Sequence, residues 1–460
     1  MTKRSGTIGA LLSSAVVAGL FVGLWSNTNG QAETAEWFVA AGGAGRGTAD
    51  APFGHIQDAL NAAQPGDTIT VRPGTYREAL RTVRGGASGQ PILLRGMGAR
   101  GSIVVVAAGR VLTVDHPYLT VDGMVFDGEY GPDDTVRVAS TAHFFTLRNA
   151  EVRRSSRDLI DLGAPEGVVV EGSLIHHALN ARDGRTDAHG IVAGAVHNLR
   201  IRNTDIHTFS GDAVQVDPAR SAPGWNRVLI EGCRFWLEPL PAAANGFGAG
   251  VVPGENAVDT KARPDLPRAS ITIRDTIASG FRNGLLGNMA AFNLKEHIDA
   301  TIDGVTVFDS EIAFRLRGPT RATPAGAKVT LMNAVVYQVA TAFRYENDIE
   351  VLHVWNSTLG REVARPFQAA SSNRLGLDVQ NLLMLGTLPR EASRASNLGV
   401  GPEAFVDASA HNYLPAPDAV SIDAGVALPA VATDRVGTTR PRGRAYDVGA
   451  YESTLPGARR

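Results

Sequence analysis

The stretch Leu199–Asp217, LRIRNTDIHTFSGDAVQVD, decides the fold. Its first part alternates apolar and polar residues up to Asn203 and resumes with Ile206, the period-two pattern of half-buried strands. Its last part, GDAVQVD, puts Val214 and Val216 on one face and Gln215 and Asp217 on the other. The first pattern returns as LTVDGMVF, FTLRNAEV, VVVEGSLI, VLIEGCRF, ITIRDTIA, ATIDGVTV, VTLMNAVV, LHVWNSTL and LDVQNLLM. Marked by their pivots, from Gly123, Asn149 and Gly172 to Asn333, Asn356 and Asn381, the repeats are spaced 26, 23, 31, 29, 43, 29, 29, 23 and 25 residues apart. A period mostly in the twenties, made of short strands with no helical periodicity between them, is a β-solenoid. A propeller blade needs about 40 residues and hairpin turns, and those turn signals are missing.

A further strand follows in most turns: RDLIDLG, AHGIVAG, GDAVQVD, ENAVDTK, RNGLLGN, EIAFRLR and ATAFRYE. Aligned without gaps, these stack Ile160, Ile191, Val214, Val258, Leu285, Phe314 and Phe343 inward, with Leu162 to Tyr345 two residues on. The segment PFGHIQDALNAAQPGDTITV reads as a short amphipathic helix (Ile56, Leu60, Ala63) followed by a strand, suited to covering the open end of a solenoid. The cap is expected within about 36–75 and a closing segment within about 400–460, in one β-helix domain over 33–460. The expected fold is all-β, a right-handed parallel β-helix with an N-terminal capping helix; the hexapeptide period of a left-handed helix is missing.

Lys3 and Arg4, the apolar run Ile8–Trp25 and small residues ending at Ala32 have the layout of a secretory signal peptide. An uncleaved N-terminal anchor is the alternative. Either way the expected location is secreted, periplasmic or cell-surface. A net charge of −2 gives no basic footprint for nucleic acid. The single cysteine, Cys233, rules out an intrachain disulfide framework and reads as a buried strand residue. A monomer is expected.

In the aligned strands the outward columns carry the chemistry. One holds Asp161, Val192, Gln215, Asp259, Leu286, Arg315 and Arg344; the other holds Gly163, Gly194, Asp217, Lys261, Asn288, Arg317 and Glu346. Coils are about 4.8 Å apart, so the acids of GENAVDTK share a patch with Lys261, Arg315 and Arg317 that spans a sugar or two. The longest interval, 43, belongs to the coil carrying GENAVDTK, and its extra residues FWLEPLPAAANGFGAGVVPG form a loop. Loops of this kind build binding walls, and Trp236 and Phe247 are its sugar-stacking candidates. Asn288 and Arg344 are further candidate contacts to an acidic polysaccharide.

An acid cluster beside a lysine, with arginines further along one β-helix face, resembles the polysaccharide lyases. The strand with Glu255 and Val258-Asp259-Thr260-Lys261, followed by Phe314–Gly318, is similar to the chondroitinase B and alginate lyase family; calcium-dependent pectate lyases match comparably. The resemblance implies Lys261 as base, Arg315 or Arg317 assisting, and Ca²⁺ held by Glu255 and Asp259; by their own positions Asp217, Asp212 and Asn256 are further metal candidates. The family arginine follows its lysine by about one coil, whereas here that coil reads Leu286 and Asn288. β-Elimination suits these residue types: a hard cation or arginine neutralises the uronate carboxylate while an amine removes the C5 proton.

Other groups read as structural first. Asp158, His189, Asp212, Asn256 and Asn283 form a polar ladder at the turn corner, and His176, His177 and His207 sit in turns. DAHGI resembles the acidic-histidine motif of alginate epimerases. RNTDIHTFSGDAV resembles polygalacturonases, but Ala213 stands where the second aspartate belongs. A hydrolase or epimerase on the same fold, and a non-catalytic polysaccharide-binding solenoid, are the alternatives.

Overall fold

The computed structural model describes residues 34–182, 187–217, 224–263, 265–318, 325–346, 349–370 and 376–454. The leader read at 1–32 lies outside the described residues. Among them the chain winds repeatedly through three parallel sheets. The first carries the strand before each pivot and holds 13 strands, Glu36–Val39 to Gly376–Gln380. The second carries the strand after the pivot and also holds 13, Gly74–Arg77 to Leu398–Val400. The third holds 11, Leu80–Arg81 to Val363–Ala369. This is a parallel β-helix, with the right-handed crossovers that such connections take.

The pivots make the corner between the first two sheets. All ten have left-handed backbone, from φ 43° at Asn356 to φ 74° at Gly123, which favours Gly, Asn and Asp. From Gly123 to Asn333, Gly alternates with Asn or Asp for a steric reason. A Cβ on Gly232 would lie 2.5 Å from Asn203 Oδ1, and one on Gly172 would lie 2.9 Å from Asn149 Oδ1. In both pairs the asparagine amide occupies the space that the glycine of the next coil leaves bare.

The third sheet corrects one rung. Val258 pairs with Phe292, not Leu285, and Phe292 pairs with Phe314. The strand of that coil is Ala290–Leu294, while Leu285 and Leu286 are 48% and 49% exposed on the loop before it. The reason is packing: Phe292, Phe314 and Phe343 stack inside with ring centroids 5.4 and 5.5 Å apart. The outward columns consequently read Asn293 and Lys295 where Leu286 and Asn288 were expected.

The ends are closed by different means. Helix Ile56–Ala62 buries Ile56, Ala59 and Leu60 against the first coils. The Glu78 carboxylate accepts hydrogen bonds from the Ile56 and Gln57 amides at 2.8 and 3.1 Å, satisfying N–H groups that the helix leaves open. At the other end residues 401–454 fold back over the last pivots. Cys233 is buried, which pushes its thiol up to about 12 and leaves it inert.

Candidate functional site

Strand Val258–Thr260 does what its alternation dictates. Val258 and Thr260 are fully buried inside, and Asp259 stands outward between Gln215 on the coil below and Asn293 above. Arg315 and Arg344 continue this column one and two coils beyond Asn293. In the adjacent column Asp217 lies beneath Lys261, and by the same register Lys295 and Arg317 lie above it. The expected face is thus assembled, with Lys295 and Asn293 added by the corrected rung.

The charges interlock. Lys261 Nζ is 3.4 Å from Asp217 Oδ2, and Lys295 Nζ is 2.7 Å from Asp259 Oδ2. Asn293 donates to Asp259 Oδ1 at 3.0 Å. The Asn293 Oδ1 atom, deeply buried, has no hydrogen-bond partner among the described residues. Further along, Arg315 Nε is 2.9 Å from Glu346 Oε1, Arg344 Nε is 3.6 Å from the same oxygen, and Arg317 is 4.0 Å from Glu296. Asn288 lies on the exposed loop, outside the sheet, yet its side-chain oxygen accepts a hydrogen bond from Arg344.

The polar ladder is continuous at the corner entering this sheet. Asp158 Oδ1 accepts from the His189 amide at 3.1 Å, and His189 Nδ1 accepts from the Asp212 amide at 2.8 Å. Asp212 Oδ1 accepts from Asn256 Nδ2 at 2.7 Å, and Asn256 Oδ1 accepts from the Ala290 amide at 3.2 Å. Ala290 takes the place expected for Asn283, which belongs to the loop. Because the ladder satisfies one backbone N–H per coil, its buried polar groups cost little.

Glu255 stands apart, with no ion-pair partner among the described residues. Burial first, then the charges of Asp212, Asp187 and Asp259, push its carboxyl up to about 8 against the pull of Lys295. Burial and Asp212 likewise push Asp259 up to about 6, opposed by Lys295 and Lys261. The cluster thus gathers three carboxyl groups, Asp212, Glu255 and Asp259, against the two amines of Lys261 and Lys295.

The expected calcium ligands divide. Glu255, Asp259 and Asp212 share this neighbourhood and offer the hard oxygens that Ca²⁺ takes. Asn256 is used in the ladder, Asp212 accepts from Asn256 and Gln215 in the same place, and Asp217 faces Lys261 at the rim. Among the described residues no three His, Cys, Asp or Glu side chains are gathered as metal ligands. The donor chemistry fits; the side-chain placement would have to tighten around an ion.

Two loop residues are relocated. Phe247 is buried against Leu179 and Leu240, so it anchors its loop and presents no stacking face. Trp236 belongs to the second sheet, in register with His207, away from Lys261. The loop acts as a wall instead: Asn245 donates to Ser156 Oγ at 3.0 Å and accepts from the Ala181 amide at 3.2 Å. Beside it a cleft of ≈ 450 Å³ opens on the third sheet, lined among others by Tyr130, Arg157, His189, Gln215, Asp217 and Lys261.

Solved structures with this winding are known. The chain is similar to the pectate lyase Pel9A, with 14% identity and a TM-score of 0.53 over 91% of this chain and 96% of that one. It is similar to a rhamnogalacturonan lyase, with 13% identity and a TM-score of 0.56 over 81% and 90%. No family model and no curated protein matches the chain. At these identities the likeness establishes the architecture: the chain has the parallel β-helix fold found in polysaccharide lyases.

Proposed function

We propose that the protein degrades an acidic, uronate-containing polysaccharide by β-elimination, with an amine of the third sheet as base. The observation that carries the reading is the meeting of Asp212, Glu255 and Asp259 with Lys261 and Lys295 on one outward face. The fold shared with two lyases is consistent with it, although a fold by itself hosts many chemistries. The same proposal takes residues 1–32 as an export leader, a reading supported by Lys3 and Arg4 ahead of the apolar run Ile8–Trp25.

In the reaction the amine takes the proton at C5 of a uronate. The released electron pair forms the C4–C5 double bond, and the oxygen at C4 departs with its bonding pair and gains a proton. Lys295 is the better placed base: its side chain is 19% exposed, and it takes the C5 proton after passing its own to Asp259, whose carboxylate is 2.7 Å away. Lys261 is 37% exposed and turned to Asp217 at the cleft rim, which suits it to holding the polymer. Arg315 and Arg344 offer fixed cations for uronate carboxylates on the following coils. Calcium held by Glu255, Asp259 and Asp212 would neutralise the carboxylate next to the reacting carbon.

Incubation with pectate, rhamnogalacturonan and alginate tests this. One of them should yield an unsaturated, ultraviolet-absorbing end. Lys295→Ala should lower that rate by about 10²–10⁴-fold, whereas Lys261→Ala should chiefly raise KM. Full activity in the Lys295→Ala protein removes it as base, and reducing ends without the unsaturated product remove the elimination. That second outcome would favour the Asp187–His189 pair, whose Oδ1 and Nε2 atoms are 3.4 Å apart beside the cleft, as the acid–base machinery of a hydrolase or epimerase.

A further inference from the structure

A second arrangement lies on the outer face of the second sheet. In register it runs His176, His207, Trp236, Ser279 and Phe308, and Tyr337 follows by continuation. The rings lie flat on one another. His176 and His207 are 5.0 Å apart, His207 and Trp236 are 4.3 Å apart, and Phe308 and Tyr337 are 5.1 Å apart, with interplanar angles of 2°, 16° and 2°.

Ser279 breaks the column. It contributes no ring, so the faces of Trp236 and Phe308 are left two coils apart, roughly 9.6 Å at the usual strand spacing. A ring entering there would lie about 4.8 Å from each face, within the range of about 4.5–7 Å at which rings stack. All three residues are partly exposed, so the gap is open to solvent. At its edge the Arg234 guanidinium carbon stands 5.3 Å from the Trp236 ring centroid. Arg234 is exposed, and among the described residues no carboxylate pairs with it.

We propose that this gap is a second, non-catalytic binding site for one uronate ring of the polymer. A pyranose is one ring thick and carries C–H groups on its broad faces, which suits a slot between two aromatic planes. Its carboxylate would turn to Arg234, and its hydroxyls to Ser279 at the floor. Held on a separate sheet from Lys295, the polymer stays attached while another stretch of it is cut. The identity of the sugar rests on the lyase reading; the slot itself does not.

Two substitutions test the site, read by tryptophan fluorescence and calorimetry with oligogalacturonate, oligoguluronate and neutral cello-oligosaccharide. The Lys295→Ala background keeps the active site from consuming the probe. Wild-type residues at the slot should give a binding event that favours an acidic oligomer. Trp236→Ala should weaken that event at least tenfold. Ser279→Phe should abolish it while raising the melting temperature, because a ring there completes the column; the higher melting temperature excludes misfolding as the cause. Undiminished binding in the Ser279→Phe protein overturns the proposal, as does equal affinity for the neutral oligomer. Slot binding without unsaturated product in the lyase assay would sink the lyase reading and leave the slot standing.

Discussion

Glu255 is held nearly neutral by its surroundings, and this has a consequence for stability. Its carboxyl is raised to about 8 in the folded chain from an ordinary 4.5. Between those values the folded state binds more protons than the unfolded one, so this group's contribution to stability falls as pH rises. Below about 4.5 that contribution is fully present; above about 8 it is gone. Glu255→Gln keeps the shape and removes the charge, so its melting temperature should overtake the wild type's between pH 5 and 9, as differential scanning calorimetry would show. Calcium should raise the wild-type melting temperature most at the alkaline end, where the carboxylate is free to bind it, and should do less for the variant. Parallel pH profiles for the two proteins would mean that Glu255 is not the strained acid of this face. The His176, His177 and His207 group shows the opposite case. Burial first, and then His176, push His177 down to about 4, and burial followed by His176 and His177 takes His207 to about 3, which keeps both neutral, His207 within the ring column and His177 beside it.

Strands and their register decide how much the sequence discloses. Phe292 is fully buried between Val258 and Phe314, and Leu285 is nearly half exposed. Phe292→Ala should therefore cost about 3–5 kcal/mol, whereas Leu285→Ala should stay within about 0.5 kcal/mol. Urea unfolding of the two variants measures this, and equal losses would restore the rejected rung. The pivots, the inward stacks below this coil and the outward direction of Asp259, Lys261, Arg315 and Arg317 were legible because alternation has only two faces to choose between. The rung above Asp259 was not. RNGLLGN follows the preceding strand closely, as its equivalents do in other turns, but a long loop displaces the true strand to AAFNL. The phenylalanine column was the available signal: Phe292 continues Phe314 and Phe343, and Leu285 does not. That one displacement hid Asn293 and Lys295, the two additions nearest the acids. Phe247 and Trp236 escaped for another reason, since a loop's aromatics can turn inward or lie along a neighbouring sheet, and composition does not say which. A comparable regularity lies on the first sheet, where Arg95, Asp122, Arg148, Glu171, Arg202, Glu231, Arg274 and Asp303 alternate in sign coil after coil. Any slip of one coil would set like charges together, so the ladder supports the register that builds the site.

Over the whole molecule the last 50 or so described residues work as a clasp on the upper coils. The final pivots are all asparagines, and each uses its amide on this segment. Asn333 Nδ2 donates to Thr433 O at 3.0 Å, Asn356 Nδ2 to Asp447 O at 3.2 Å, and Asn381 Nδ2 to Val426 O at 2.8 Å. Glycine at these places would keep the turn and lose the attachment. The segment itself is locked by Arg440 and Glu452, whose side chains are 0% and 1% exposed and 2.6 Å apart. Arg440 also donates to Asn333 Oδ1 at 3.1 Å and Gly449 O at 2.9 Å, while Glu452 accepts from the Asp447 and Arg442 amides, both at 2.9 Å. Removing one member of such a pair leaves the other charge buried without compensation, a loss of about 3–5 kcal/mol. Arg440→Ala should free the segment, so that limited proteolysis cuts within 401–454 well below the melting temperature. Arg440→Met with Glu452→Leu removes both charges and should recover much of the loss. The upper coils carry Arg315 and Arg344, so release of the clasp should weaken polymer binding before it unfolds the coils that hold Lys295. Unchanged protease resistance in Arg440→Ala would show that the coils need no clasp and that the pivot asparagines serve the turn alone.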